Sequence, residues 1–363
     1  MNVHQVLVSA SPGDAVTAAA MELQPVFRAL GDSGLFARYI HPDLEHAFSF
    51  LEDLEIRRGP RPEEDVIFFH ASIGEPPVFA FVREAPERLV VNYHNVSPPE
   101  PFREYAPDFA GRLEDGRRET AALADKAVLA IADSSFNAAD LHDMGYRRVE
   151  VAAPVVDLDR LVGQTARTDL DRRAAAATDG PLLLFVGQLL PHKRPDFLVE
   201  MFHFLSTYLE PTAGLVLAGA QRLPAYTRVI ANQVAELNLA PVVIPGMIGD
   251  DELAAWYRRA DVFVTASEHE GFCMPLVEAM TFGVPVVARG FGAVAETVGG
   301  AGIVLPPDAP PALMAEAVAE VVKDGGLRDA LVTRGLSRRH AFDPARSRAT
   351  VVGHLISALG GAG

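Results

Sequence analysis

Short apolar runs alternate with longer amphipathic stretches along this 363-residue chain, and this pattern restricts the fold more than any other feature. A parallel strand that is buried on both faces has a continuous run of valine, isoleucine and leucine, and the crossover to the next strand is usually a helix. The sequence therefore predicts an α/β protein with two doubly wound sheets of about six strands each. The predicted strands are VHQVLVS, LFARYI, DVIFFH, RLVVNYH, AVLAIAD and RRVEVA in the first half, and PLLLFVG, AGLVLAG, PVVIPG, ADVFVTA, VPVVAR and AGIVLP in the second half.

The segment Asp157–Gly180 is polar, charged and rich in alanine, and it is the best candidate for a linker between two domains. We predict a first domain at residues 1–165 and a second at residues 180–343. Pro344 interrupts the chain before a final helix at about 344–363, which we expect to pack back on the first domain. Ligands of open parallel sheets bind beyond the carboxyl ends of the strands, so the predicted site is a deep cleft between two facing domains.

The composition narrows the class of function. A net charge of −16 argues against binding to nucleic acid or to a strongly anionic membrane surface. No apolar run approaches the ~20 residues of a membrane span, and the first residues, MNVHQVLVSASPGD, lack the basic start and apolar core of a signal peptide. The single cysteine, Cys273, cannot form an intrachain disulfide. We therefore expect a cytoplasmic protein, with peripheral contact at the inner membrane face left open.

The most informative segment for function is Glu270–Gly283, EGFCMPLVEAMTFG, which follows the predicted strand ADVFVTAS. It predicts a strand, a tight turn and a helix N-terminus, with Glu270 before the turn and Glu278 inside the helix. Unpaired N–H groups and a partial positive charge at a helix N-terminus suit a phosphate. A carboxylate can accept hydrogen bonds from two neighbouring sugar hydroxyls. The combination indicates a site for a sugar nucleotide, although a turn acid followed by a surface helix acid would give the same spacing.

The residues of the turn favour the functional interpretation. Gly271 permits close approach of the backbone to a ligand, and Pro275 suits the first position of a helix. Glu278 is then expected in the first turn of the helix, facing the cleft. Because proline has no N–H, the expected phosphate donors are the amides of Cys273, Met274, Leu276 and Val277.

Lys193 is one of only three lysines in a chain whose other basic residues are arginine. It lies in the loop QLLPHKRPD, which follows the predicted strand PLLLFVG and precedes a helix that we expect to begin near Pro195. A lysine at this place could neutralise a diphosphate with the help of the helix end. The loop is not a P-loop, since His192 and Arg194 stand where that motif requires Gly and Ser or Thr. A solvated basic loop is the alternative.

The first half offers candidates at the ends of its predicted strands. His70 and His94 each follow such a strand, and either could contact a substrate, although a lone histidine more often has a structural role. Gly13 and Asp14 open a helix after the first strand. Asp14 could cap that helix, or the loop could approach a phosphate or an acceptor.

Two Asp-Leu-Asp sequences, Asp157–Asp159 and Asp169–Asp171, could in principle hold a divalent metal against a diphosphate. An acidic chain produces such pairs readily, and both fall in the predicted linker, so we predict no metal site. The chain also has no GxGxxG after a strand, no GxSxG, no HExxH and no CxxC.

Three segments of the second half together resemble the family 4 retaining glycosyltransferases, which have the GT-B fold of two Rossmann-like domains facing a deep cleft. The segments are VGQLLPHKRPD, PGMIGDDELAAWYRRADVFV and ASEHEGFCMPLVEAMTFGVPVVA. They occur in the order found in the family and cover Leu182–Arg289. In the first half, SPGDAV and YHNVSPPEPF resemble a bacterial subgroup of these enzymes more loosely.

The resemblance implies a role for each candidate residue. Lys193 would bind the donor diphosphate, Glu270 would hold hydroxyls of the donor sugar, and Glu278 would bind the ribose diol. His94 would line the donor sugar near its reacting centre. The backbone at Gly246, Met247 and Ile248 would frame the nucleobase, and the donor site would also include Gly187, Gly271, Phe272, Cys273, Met274, Leu276 and Val277. A loop on the acceptor side or near the phosphate would contain Gly13, Asp14, His70 and Asn95.

One position departs from the family pattern. Gln188 follows the strand glycine Gly187, where the family usually has arginine. The change removes a positive charge from the leaving group, a loss on the order of a few kcal/mol of transition-state stabilisation if nothing replaces it. Arg194 is close in sequence and could substitute.

The resemblance implies transfer of a sugar from a nucleoside-diphosphate sugar to an acceptor hydroxyl, with retention of anomeric configuration. It implies no metal and no cofactor other than the nucleotide sugar as co-substrate. The acceptor would be a glycan, a lipid-linked sugar or a small molecule. Three alternatives stay open: a sugar-nucleotide epimerase on the same fold, an inactive sugar-nucleotide binding protein, and a metal-dependent transferase that uses an Asp-Leu-Asp sequence.

Overall fold

The computed structural model describes residues 1–155, 157–165 and 167–360. Its internal contacts divide the described chain into two compact units. The first unit consists of residues 1–103, 107–155 and 342–360, and the second consists of residues 104–106 and 157–341. Each unit contains one parallel sheet with helices around it, which confirms the prediction of two doubly wound α/β units.

The first unit contains all six predicted strands and one more. The strands are β1 (Val3–Ala10), β2 (Leu35–Ile40), β3 (Ser49–Phe50), β4 (Val66–Ala71), β5 (Arg88–Tyr93), β6 (Ala127–Ala132) and β7 (Val149–Val151). They pair in parallel in the order β3-β2-β1-β4-β5-β6-β7. The helices are α1 (Ala15–Leu30), α2 (Asp53–Arg57), α3 (Pro76–Glu84), α4 (Pro107–Ala122) and α5 (Ser135–Asp143). The sequence did not predict β3 because a partly exposed strand of two residues gives no apolar run.

The C-terminal helix, Pro344–Leu359, packs on the sheet of the first unit. Its Val351 and Leu355 are buried in the same core as Phe68 of β4. Arg348 of this helix forms an ion pair with Glu22 of α1 at 2.9 Å. Full burial of one aliphatic side chain stabilises a fold by about 1.5–3 kcal/mol. The burial of Val351 and Leu355 alone therefore attaches the helix firmly to the first sheet.

The second unit contains the other six predicted strands. They are β8 (Leu182–Val186), β9 (Gly214–Ala218), β10 (Val242–Gly246), β11 (Val262–Thr265), β12 (Val286–Arg289) and β13 (Ile303–Leu305). All pairs are parallel, in the order β10-β9-β8-β11-β12-β13. The helices are α6 (Asp159–Val162), α7 (Thr168–Ala175), α8 (Pro195–Phe204), α9 (Pro224–Glu236), α10 (Asp250–Arg259), α11 (Met274–Thr281), α12 (Val294–Val298), α13 (Pro311–Lys323) and α14 (Gly325–Arg338). Within the described ranges, no helix combines the length and the apolar character needed to cross a membrane.

The predicted linker is wrong, because residues 157–165 and 167–180 are part of the second unit. Its helices α6 and α7 pack against α10, and ion pairs of 2.8–2.9 Å join them: Arg160–Asp250, Arg167–Asp251 and Asp171–Arg258. The predicted boundary at residue 165 is therefore misplaced, because residues 157–165 belong with the second unit. The sequence pattern missed these helices because charged side chains make much of their contact with α10.

Candidate functional site

The loops that follow β8 and β11 meet at the carboxyl edge of the second sheet. Gly187 directly follows β8, and its N–H donates to the carbonyl of Ala218 at 2.9 Å. The backbone of Gly219 lies so close that a Cβ atom there would be 1.8 Å from the carbonyl oxygen of Gly187. The loop after β8 is then bound to the loop after β11, because the N–H of Glu268 donates to the carbonyl of His192 at 2.8 Å. These backbone contacts hold the two loops side by side.

Lys193 and Glu270 form a buried ion pair where these loops meet. The ammonium Nζ of Lys193 lies 2.8 Å from both Oε1 and Oε2 of Glu270, whose side chain is 6% exposed. Burial alone would lower the pKa of Lys193, but the Glu270 carboxylate raises it above its ordinary value, so the lysine is a cation. The sequence named both residues, and the structure brings them together across 77 positions.

The single cysteine lies close to this pair. Burial, together with the charge of the Glu270 carboxylate, raises the pKa of Cys273 well above its ordinary value. Cys273 therefore stays a thiol at neutral pH and is not a thiolate nucleophile. Its backbone is in the left-handed region, with φ of 70°, and it directly precedes α11.

Helix α11 begins one residue earlier than predicted, at Met274, with Pro275 in its second position. Glu278 is consequently the fifth helical residue and lies in the second turn, so its placement in the first turn is wrong. The N–H of Leu276 donates to the carbonyl of Cys273 at 3.1 Å. Leu276 is therefore a poor candidate for a phosphate donor, and the amides before it are better placed. Thr297 of α12 anchors the turn, because its Oγ1 donates to the carbonyl of Phe272 at 2.6 Å.

Glu278 is oriented by an aromatic residue that the sequence analysis did not select. The hydroxyl of Tyr257, a fully buried residue of α10, donates to Oε2 of Glu278 at 2.8 Å. The ring of Tyr257 stacks on Phe282 with 5.2 Å between ring centroids. Burial raises the pKa of Glu278, and the Tyr257 hydrogen bond acts in the opposite direction. The signal in the sequence is weak, since Tyr257 resembles any core aromatic of an amphipathic helix.

The end of β10 carries the three residues predicted to frame a nucleobase. Gly246 has φ of 82°, and its carbonyl accepts a hydrogen bond from the N–H of Gly219 at 3.0 Å. Met247 is 79% exposed. A large exposed thioether beside Ile248 offers an apolar surface to a planar ring, and the nucleobase contact itself stays a prediction.

Arg194 does not replace the positive charge that is missing at Gln188. Gln188 is exposed at the end of β8. The guanidinium of Arg194 is held instead by two carboxylates, with Nη2 at 2.9 Å from Asp196 and Nη1 in contact with Glu268. Arg194 also has a left-handed backbone, with φ of 52°. Its side chain is thus engaged within the second unit, and the proposed substitution by Arg194 is not supported.

Arg289, at the end of β12, belongs to the same group of charges and was missed by the sequence analysis. It is 7% exposed, its guanidinium carbon lies 4.4 Å from the ring centroid of Phe197 and 4.9 Å from that of Phe291, and Nη1 is 3.8 Å from Glu268. Burial lowers its pKa from the ordinary arginine value. A charged residue that ends the apolar strand VPVVAR is the signal that could have identified it.

In the first unit, His70 and His94 belong to a chain of buried hydrogen bonds. Nδ1 of His94 lies 2.9 Å from Oδ2 of Asp133, and Nε2 of His94 lies 2.9 Å from Nδ1 of His70. Nε2 of His70 in turn lies 2.9 Å from Oε1 of Gln5. His70 is fully buried, so its assignment to an acceptor or phosphate loop is wrong. It lies inside the core because β4 is covered on both faces.

The hydrogen-bond partners and the charges around the two rings indicate where their protons lie. Nε2 of Gln5 donates to the carbonyl of Ala20 at 2.9 Å, so Oε1 faces His70 and Nε2 of His70 carries a proton. Burial and the charge of His94 lower the pKa of His70 well below its ordinary value, which leaves Nδ1 as an acceptor. Burial would lower the pKa of His94, but the carboxylate of Asp133 raises it above its ordinary value, which favours the imidazolium. Nε2 of His94 also lies 3.1 Å from Nδ2 of Asn92, so two groups share this ring nitrogen.

Both ring nitrogens of His94 thus have partners inside the first unit, and its side chain is 7% exposed. A contact between His94 and a donor sugar stays a prediction, and this geometry leaves the ring carbons and the backbone for it. Asn95 has φ of 73° and donates from Nδ2 to Oδ1 of Asn137 at 2.7 Å. That left-handed residue turns the chain directly after His94.

Asp14 caps α1, which is the first of the two roles that the sequence left open for it. Its Oδ2 accepts hydrogen bonds from the N–H and the Oγ1 of Thr17, both at 2.8 Å. Gly13, before it, has φ of 74°, which explains a glycine at that position. A phosphate or acceptor contact for this loop stays a prediction.

Three of the four carboxylates of the two Asp-Leu-Asp sequences have partners within the protein. Asp157 accepts from the N–H of Arg160 at 3.0 Å, while Asp169 pairs with Arg167 and Asp171 with Arg258, each at 2.9 Å. Over the part of the chain that the structure describes, no group of three or more His, Cys, Asp or Glu side chains is arranged to hold a metal.

We expect Asp133→Asn to lower the pKa of His94, because Asp133 is the charge that raises it against the effect of burial. A histidine whose pKa rises on folding stabilises the fold below its ordinary pKa of about 6.5, and that stabilisation disappears as the pH rises through the raised value. NMR titration of ring nitrogens should therefore show a doubly protonated His94 at pH 6.5 in the unmodified protein and a lower midpoint in the variant. Asp125→Asn, at a carboxylate that is 94% exposed, is the control. A singly protonated His94 at pH 6.5 would contradict the assignment.

The comparisons with known proteins bear on the family and the fold of this chain. Residues 166–338 match the family model described as glycosyl transferases group 1. A D-inositol 3-phosphate glycosyltransferase of Xylanimonas cellulosilytica is 31% identical over 251 residues, which are 66% of this chain and 58% of that relative. One of Frankia alni is 31% identical over 258 residues, which are 65% of this chain and 59% of that relative. The chain thus spans less than two thirds of the length of these curated relatives.

Two solved structures resemble the whole chain at low identity. HepE of Anabaena, in complex with UDP-glucose, has a TM-score of 0.78 and 18% identity and covers 98% of this chain and 100% of its own. WaaG, a glycosyltransferase involved in lipopolysaccharide biosynthesis, has a TM-score of 0.72 and 16% identity and covers 99% of this chain and 100% of its own. These likenesses show the fold, which is the predicted GT-B fold. The family that this chain resembles is therefore the glycosyl transferases group 1, and the likeness covers residues 166–338.

Proposed function

We propose that this protein transfers a sugar from a nucleoside-diphosphate sugar to an acceptor hydroxyl, with retention of anomeric configuration and without a metal ion. The observation that carries the proposal is the buried pair of Lys193 and Glu270 beside the N-terminus of α11. A cation and a hydrogen-bond acceptor side by side are the two groups that a sugar diphosphate requires. Membership of family 4 within group 1 stays a prediction.

The second unit binds the donor in this proposal. Lys193 and the amides at the start of α11 receive the diphosphate, because the partial positive charge of a helix N-terminus favours an anion. Glu270 accepts hydrogen bonds from hydroxyls of the donor sugar. Glu278, held from behind by Tyr257, receives the ribose diol. The backbone at residues 246–248 contacts the base.

The reaction proceeds through a transition state that resembles an oxocarbenium ion. The bond between the anomeric carbon and the diphosphate oxygen breaks, and its electron pair stays on the diphosphate. Lys193 and the helix N-terminus stabilise the negative charge that develops there. The acceptor oxygen forms its bond on the face from which the diphosphate leaves, and a phosphate oxygen takes the acceptor proton. No nucleophile from the protein is required.

The related proteins suggest where to begin the search for substrates. UDP-glucose is bound by HepE, and the curated relatives are named for D-inositol 3-phosphate. We therefore place UDP-glucose first among candidate donors. D-inositol 3-phosphate comes first among small-molecule acceptors, ahead of glycans and lipid-linked sugars. A cytoplasmic location is part of the same proposal.

The first test is thermal stabilisation by UDP, GDP, ADP and dTDP and by the glucose conjugate of each. A ligand present at 100 times its Kd stabilises the folded state by about 2.7 kcal/mol, which raises Tm by several degrees for units of this size. Product analysis with the stabilising donor then identifies transfer, and NMR of the product gives its anomeric configuration. A failure of all eight compounds to raise Tm would contradict the proposed site.

Transfer should persist in the presence of a chelator. We expect EDTA to change the rate by less than about twofold, because Lys193 and the helix N-terminus supply the charge stabilisation that a metal supplies elsewhere. The measurement is the initial rate with and without EDTA, followed by addition of Mg²⁺ or Mn²⁺. A loss of activity that either metal restores would favour a metal-dependent transferase.

A catalytically inactive sugar-nucleotide binding protein is the second candidate, because Gln188 leaves one expected charge out of the donor site. Calorimetry would then show binding of a nucleotide sugar while no acceptor gave a product. Incubation of the donor without acceptor separates a third possibility, since an epimerase would convert the donor into an isomer.

A further inference from the structure

The two groups proposed to bind the donor, Lys193 and Glu270, neutralise each other in an ion pair. Each oxygen of the Glu270 carboxylate lies 2.8 Å from Nζ of Lys193. Removing either partner of a buried ion pair leaves the other charge without compensation, which is strongly unfavourable. A ligand that takes Lys193 away from Glu270 must therefore also satisfy Glu270.

A nucleotide sugar and its product differ in this respect. The diphosphate of either ligand can take over Lys193. The donor also carries sugar hydroxyls, which can donate to the carboxylate of Glu270 and replace the contacts it loses. The released nucleoside diphosphate has no such hydroxyls at this position, and its terminal phosphate carries more negative charge than the diester did. That charge would lie beside a buried carboxylate that has lost its cation.

We propose that Glu270 acts as an internal competitor for Lys193, which makes the site favour the intact nucleotide sugar and expel the nucleoside diphosphate after transfer. This inference rests on the proposed function, because it assigns the diphosphate to Lys193. It adds a role for Glu270 that a sugar contact alone does not provide. The backbone of Glu270 is held in place, because the N–H of Ala293 donates to its carbonyl at 2.9 Å.

Glu268 provides a matched control two residues away. It pairs with Arg194 and lies 3.8 Å from Arg289, so it is a similar carboxylate in the same loop. Lys193 has its short contacts with Glu270. Glu268→Gln therefore tests the general loss of one negative charge from the loop, and Glu270→Gln tests the competition for Lys193.

The experiment is calorimetric titration of both variants and the unmodified protein with UDP, GDP, ADP and dTDP and with their glucose conjugates. Glu270→Gln should bind the nucleoside diphosphate about tenfold more tightly than the unmodified protein does, equal to about 1.4 kcal/mol. Its affinity for the glucose conjugate should not increase, so the preference for the conjugate falls by at least the same factor. Glu268→Gln should change both affinities by a common factor. The carboxylate of Glu270→Asp reaches less far towards Nζ of Lys193, so the affinity of this variant for the nucleoside diphosphate should lie between those of the unmodified protein and Glu270→Gln. It serves as a second variant where circular dichroism shows Glu270→Gln to be poorly folded.

Each outcome decides the question. If Glu270→Gln and Glu270→Asp bind the nucleoside diphosphate no more tightly than the unmodified protein, the competition is wrong, while binding of the conjugate to the unmodified protein leaves the proposed function standing. An equal loss of preference for the glucose conjugate in Glu268→Gln would reduce the effect to net charge and would also overturn the inference. If none of the compounds binds the unmodified protein, both the inference and the proposed function fail.

Discussion

Lys193→Ala is expected to lower the rate of sugar transfer by about 10²–10³-fold, the usual loss when one preorganised group that stabilises transition-state charge is removed. Lys193 is the cation that contacts Glu270, and Gln188 supplies no second charge at the end of β8. Arg194 cannot compensate without breaking its contacts with Asp196 and Glu268. The measurement is kcat/KM with the donor found by thermal stabilisation. Lys323→Ala, at a lysine that is 53% exposed, is the control.

A loss of activity in Lys193→Ala could also come from instability, because the variant leaves the buried carboxylate of Glu270 without its cation. The double variant Lys193→Ala with Glu270→Gln separates the two causes. It removes both charges, so we expect it to melt closer to the unmodified protein than the single variant does while remaining inactive. Near-normal transfer by a folded Lys193→Ala protein would refute the role of this residue.

Most of the strands could be predicted from the sequence because the central strands of each sheet, such as β4 and β9, are buried along their whole length, and such burial selects a continuous apolar run. Two other features could not be read in this way. Strand β3 has only two residues and is partly exposed. Helices α6 and α7 attach to α10 through arginine–aspartate pairs, which a search for apolar periodicity does not detect.

The candidate site was predictable in its residues but not in its contacts. Glu270 was selected by its spacing from Glu278, and Lys193 was selected because lysine is rare in this chain. Their ion pair could not be predicted, because it depends on the folding of two loops that are distant in sequence. Helix α11 starts early because Cys273 has the left-handed conformation that usually belongs to glycine. Arg194 could not be assigned because a short-range pattern does not show that Asp196 and Glu268 hold its side chain.

Gly292→Ala is expected to abolish transfer and to destabilise the second unit, because the backbone of Glu270 packs directly against this glycine. Gly292 has φ of 57°, and a Cβ atom there would lie 2.3 Å from the carbonyl oxygen of Glu270 and 3.0 Å from its N atom. An alanine must therefore displace the backbone that carries the carboxylate, since no flexible side chain can move out of the way. Overpacking of this kind typically destabilises by about 1–3 kcal/mol, in addition to about 1–2 kcal/mol for the left-handed conformation.

Gly300→Ala separates the two contributions. Gly300 has φ of 79°, and a Cβ atom there has no neighbour within 4 Å. It therefore carries the conformational penalty without the clash. Chemical denaturation should show Gly292→Ala to be less stable than Gly300→Ala by about the overpacking term of 1–3 kcal/mol, and only Gly292→Ala should lose binding of the donor. If the two variants were equally stable and equally active, the backbone of Glu270 would tolerate displacement, and the preorganised carboxylate on which both donor recognition and competition for Lys193 depend would not exist.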